Sequence, residues 1–169
     1  MIPKSHLKPN SRGFTLIELL VAIGIFSIVI TIAVGGFVHA LKTHRQSIAI
    51  MAANSNISSV LEQILREIRT GNTFRISPPL FTFENTNNET VTYNLIGGSI
   101  TRETALIPSQ KITDNNVVVE YLQFTIHDLD DATFTYPPRV SINIGIRPNV
   151  EGANKGIINF QTTVSGRNF

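Results

Sequence analysis

The chain has 169 residues, with 14 lysines and arginines against 12 acidic residues, 42% hydrophobic residues and no cysteine. The missing thiols exclude a disulfide frame, a cysteine nucleophile and a cysteine zinc site, and this hydrophobic content fits no disordered class. The formal charge of +2 does not indicate nucleic acid as a partner, because Lys4, Lys8 and Arg12 all stand at the start, and the other 11 basic residues face 12 acidic ones, a net charge of −1.

Residues 1–13 read as a short basic leader that also carries Pro3, Pro9 and Gly13. By the positive-inside rule they stay on the cytoplasmic side, although Lys42 and Arg45 on the far side make the margin thin. Residues 14–38 are an apolar run whose one charge is Glu18. At about 1.5 Å per residue such a run crosses the roughly 30 Å hydrocarbon layer of a membrane. An ionisable group in hydrocarbon is costly unless paired, so Glu18 requires a partner. A secretory signal cut at Val38-His39-Ala40 is the plainer alternative; the run is too long for it, and Val-His-Ala is a poor small-x-small site.

The stretch Gly13-Phe14-Thr15-Leu16-Ile17-Glu18-Leu19 resembles the processing site of type IV pilins and type II secretion pseudopilins. The resemblance implies that a prepilin peptidase cuts after Gly13 and methylates Phe14, and that Glu18 docks the subunit into a filament. Cleavage there creates a charged amine on Phe14 at helical i, i+4 spacing from Glu18, a partner within the same chain or from a staggered neighbour. Gly35-Gly36 stands where filament pilins often carry a helix-breaking proline. Two outcomes are open at that pair, local melting or close helix packing through small residues.

Beyond Lys42 a helical period persists in Ile50, Ala53, Ile57, Leu61, Ile64, Leu65 and Ile68, a stripe that needs a surface to lie on. The helix is predicted to end near Thr70, with Gly71-Asn72 as its C-cap. From Thr73 the period changes to two. Strands are predicted at residues 80–84, around Val91, Tyr93 and Leu95, around residues 100–102, and through Leu122 to Ile126, Val140 to Ile146 and Ile158 to Val164, with Gly97-Gly98 as a hairpin turn. The expected fold is α+β: a long N-terminal helix, membrane-spanning over 14–38, packed on an antiparallel sheet, with a leader at 1–13, the helix at 14–70 and a β-rich head at 71–169.

The segments Thr92-Tyr93 through Gly97-Gly98 to Arg102, Phe124 to Asp128, Pro138-Arg139-Val140, Thr163-Val164 and Arg167-Asn168 resemble minor pilins and J-type or W-type minor pseudopilins. That resemblance implies a structural minor subunit, not an enzyme, in a bacterial inner or cytoplasmic membrane, single-pass with the head outside the cytoplasm, then in a pilus or pseudopilus. Its implied partners are the prepilin peptidase, other pilin or pseudopilin subunits, the membrane assembly platform and the lipid bilayer. The alternative is an uncleaved bitopic protein whose β-rich head binds a ligand or partner outside the cytoplasm. No cofactor is expected. Asp128, Asp130 and Asp131 are weak candidates for calcium, but they lack a full calcium-loop spacing and read better as a solvated turn. His6, His39, His44 and His127 show no metal-ligand spacing, and His127 beside Asp128 comes with no nucleophile motif.

Overall fold

The computed structural model describes residues 13–127, 137–150 and 156–166. The chain divides into two compact units, Met1–Thr43 and His44–Phe169. Helix α1 (Leu16–Thr70) contributes residues to both.

In the first unit, every described residue is exposed. The apolar side chains therefore find no packing partner within this unit. Two hydroxyls within the apolar stretch are satisfied locally: Ser27 Oγ donates to the Ile23 carbonyl and Thr31 Oγ1 to the Ser27 carbonyl, each at 2.8 Å. Such bonds let a hydroxyl sit in an apolar segment without an external partner. Residues 30–40 are helical through Gly35-Gly36, so the glycine pair leaves the helix unbroken in the single chain.

In the second unit, α1 buries Ala53, Ile57, Val60, Leu61, Ile64 and Ile68, with Leu65 partly buried against them. The stripe differs from the predicted one at two places. Ile50 is exposed, because the buried face begins only at Ala53, and Val60 takes a core position, three residues after Ile57 and four before Ile64 on the same helix face. Gly71 closes the helix through its N–H to the Ile68 carbonyl at 3.1 Å. Its backbone is not left-handed, however; Thr73 carries the positive φ of 52°. A Cβ on Gly71 would meet the Phe83 ring at 2.5 Å, so the glycine that ends the helix, as predicted, also permits close packing.

Among the described residues eight strands follow: β1 (Asn72–Ser77), β2 (Leu80–Glu84), β3 (Thr90–Ile96), β4 (Ser99–Thr104), β5 (Gln110–Lys111), β6 (Val117–His127), β7 (Arg139–Pro148) and β8 (Ile158–Ser165). All neighbours pair antiparallel, as expected. Instead of one sheet they make two, a five-stranded sheet ordered β1 to β5 and a three-stranded sheet ordered β6-β7-β8. The break has a physical reason. β6 turns Val117, Val119 and Leu122 into the shared core, and its Val119 N–H bonds the Gly98 carbonyl of the β3–β4 turn at 2.8 Å, so it packs against the first sheet rather than extending it. Gly97 and Gly98, at φ 55° and 74°, supply the paired left-handed residues of that tight turn.

One core joins the helix stripe to both sheets. Phe81 of β2 stacks on Phe124 of β6 with ring centroids 4.3 Å apart, and Phe74, Phe83 and Tyr93 continue the aromatic row. Each such side chain contributes about 1.5–3 kcal/mol by leaving water. In the three-stranded sheet the Tyr121 ring lies over Gly145 of β7, where a Cβ would collide with it. Its hydroxyl reaches on to Asn159 Oδ1 of β8 at 2.8 Å, so one side chain spans all three strands.

Candidate functional site

The N-terminal segment is built around the start of α1. Gly13, Phe14 and Thr15 are non-helical and exposed, and the first helical residue is Leu16. Thr15 is the cap. Its backbone N–H and its hydroxyl both donate to Glu18 Oε2 at 2.9 Å, while the Glu18 N–H donates to Thr15 Oγ1 at 3.3 Å. This reciprocal Thr-x-x-Glu arrangement is a capping box, which satisfies donors at a helix start that otherwise lack partners. The carboxylate also lies in the first turn, where the helix dipole favours negative charge.

Two consequences modify the sequence reading. Glu18 already has a partner inside the uncut chain, namely Thr15. In the uncut chain Phe14 lies outside the helix, just before the Thr15 cap. Thr15 is the residue that the sequence reading misses. Its signal was present, since threonine followed three residues later by glutamate before an apolar run marks a helix start. Gly13 and Phe14 form an accessible peptide ahead of that start, with Phe14 83% exposed.

The head has a different polar site. Arg102 Nε of β4 meets both carboxylate oxygens of Glu67 on α1 at 3.0 Å, and Gln63 Nε2 adds a bond to Glu67 at 3.3 Å. The pair pins the helix to the sheet at a half-buried position. Beside it the buried Tyr93 hydroxyl lacks a well-formed hydrogen bond. Burial, then the nearby Glu67 charge, pushes that hydroxyl well above the usual tyrosine range. For Arg102, burial acts to lower the value, and the Glu67 hydrogen bond and charge outweigh it, leaving the guanidinium above its ordinary range. A second link joins Asn56 Nδ2 to Asp114 Oδ2 at 2.7 Å.

The remaining candidates fall apart from these. His127 Nε2 contacts Ser141 Oγ at 3.0 Å, and Ser141 contacts Thr163 Oγ1 at 2.8 Å, a row on the exposed face of the three-stranded sheet rather than in a cleft. Asp128, Asp130 and Asp131 lie outside the described residues. Among the described residues no three histidine, aspartate or glutamate side chains come together as a metal site. A cleft of about 250 Å³ opens between the β1–β2 turn and β6, lined by Ile76, Pro79, Leu80, Leu122 and Phe124.

Residues 8–34 match the family described as the prokaryotic N-terminal methylation motif. The match contains Gly13, Phe14, Thr15 and Glu18, and it supports the type IV pilin-like family, which is structural rather than catalytic. The motif implies a pilin-type subunit processed by prepilin peptidase and assembling with other pilin subunits. No curated protein and no solved structure matches the chain. By length and composition α1 is long and apolar enough to cross a membrane, which together with the motif suggests a membrane-anchored bacterial protein.

Proposed function

We propose that the chain is a minor structural subunit of a type IV pilus or a type II secretion pseudopilus. The peptidase removes residues 1–13 by cutting after Gly13, Phe14 becomes the methylated N-terminus, and residues 14–70 serve as anchor and docking helix for a head formed by 71–169. The head lies outside the cytoplasm, and the membrane assembly platform draws the subunit from the bilayer into the filament. The observation that carries this reading is the motif match over residues 8–34, which overlies an exposed Gly13–Phe14 peptide directly before a capped apolar helix. Mass spectrometry of membrane-extracted protein tests it: the expected N-terminus is methylated Phe14, and an intact Met1 or a cut after Ala40 overturns it.

Glu18 is the proposed docking acid. In a packed filament its carboxylate leaves water, so it needs a positive partner such as the new amine of Phe14 or of a neighbour. Glu18→Ala is expected to leave membrane insertion and cleavage intact while abolishing incorporation into filaments, read by shearing and immunoblotting. Undiminished incorporation removes the role. The second reading, an uncleaved bitopic protein with a binding head, draws on Thr15, which satisfies Glu18 without any cut.

A further inference from the structure

The two sheets have four outer edges among the described residues, and three are blunted in recognised ways. β1 breaks register between Asn72 and Arg75 and has Thr73 at positive φ. β5 is two residues long and ends in Lys111. β6 is interrupted between Val119 and Tyr121, and its Val119 N–H is taken by the β3–β4 turn. β8 has none of these protections. It pairs with β7 in unbroken register from Ile158 to Ser165, and Ile-Asn-Phe-Gln-Thr-Thr-Val-Ser contains no charge and no proline. Among the described residues nothing pairs with its outer edge, and an uncharged strand of this length is then a template for another strand.

The side chains indicate which strand. On the exposed face, cross-strand pairing aligns Gln123, Asn143 and Gln161 in one row and Thr125, Ser141 and Thr163 in the next. Amides and hydroxyls both donate and accept, so such a row is complementary to an identical row, whereas a charged row requires one of opposite sign. On the inner face Ile158, Phe160 and Thr162 are only half-buried. We propose that a second copy of this chain pairs antiparallel with the outer edge of β8 about a two-fold axis at Gln161. Residues of equal parity then face each other, which keeps both faces matched across the seam: Gln161 meets Gln161, Asn159 meets Thr163, Phe160 meets Thr162 and Ile158 meets Val164. The two three-stranded sheets become one of six strands, within the usual range. The inference concerns the head and holds whether or not the chain is processed.

Because the chain has no native cysteine, single cysteines report the seam directly in the full-length protein in detergent. Gln161→Cys is expected to form a disulfide dimer on mild oxidation in several times the yield of Gln123→Cys, which lies in the same row on β6. Equal yields, as association through the apolar helix alone would give, overturn the proposal. Gln161 is exposed, so charging it leaves the core untouched. Gln161→Lys is expected to abolish the dimer measured by native mass spectrometry, and mixing it with Gln161→Glu to restore a heterodimer. A Gln161→Lys dimer as tight as that of the unchanged chain, or a strictly monomeric unchanged chain, also overturns it.

Discussion

The two halves of α1 share a conformation and almost nothing else. Residues 16–43 bury no side chain, although Leu, Ile, Val and Phe dominate them, whereas Ala53 to Ile68 place six residues in a core that both sheets complete. The first half is apolar on all sides and the second only along a stripe, which is the pattern that separates a lipid-facing helix from one packed on protein. Helical hydrogen bonds are equally available to both. What differs is where the burial comes from: the chain supplies it for the second half, and a bilayer or a neighbouring subunit must supply it for the first.

The contrast can be broken by substitution. The largest expected effect is that Phe81→Ala, which empties a fully buried site stacked on Phe124, lowers head stability by about 3–5 kcal/mol in chemical denaturation. Ile23→Ala, at a 57% exposed site, leaves the same transition within about 0.5 kcal/mol; equal losses would erase the distinction between the halves. A smaller effect sharpens it. Arg102→Met strands Glu67 at a half-buried position and is expected to cost about 1.5–3 kcal/mol, whereas Arg66→Met, at the exposed 3.9 Å pair with Glu62, changes little. The smallest effect depends on pH. Tyr93 holds its proton more firmly folded than unfolded, so its contribution is complete below the ordinary tyrosine value of about 10 and is lost as pH rises beyond it. Tyr93→Phe should flatten that alkaline decline in denaturant midpoints while shifting neutral stability by no more than about 1 kcal/mol.

Much of this arrangement is legible in the residues themselves. The helix stripe, the alternating strands β2, β3, β4, β6, β7 and β8, and the Gly97-Gly98 turn follow from periodicity and turn chemistry. β1 does not, because its register breaks and Phe74 is its one buried residue, so no alternation shows. β5 is too short to carry a period. The division into two sheets is equally hidden, since alternation says which face is apolar and not which strand lies alongside. The Glu67–Arg102 pair joins residues 35 apart, beyond any local pattern. Thr15 is the opposite case: its pairing with Glu18 is local and readable from the Thr-x-x-Glu spacing.

That local pairing has a consequence for timing. Both Thr15 donors converge on a single carboxylate oxygen, Oε2. A carboxylate offers two oxygens, each with lone pairs to share. If Glu18 has the docking role proposed above, the helix start can stay fastened by one oxygen while the other receives a cation, and Glu18 need not let go of its own chain in order to take hold of another.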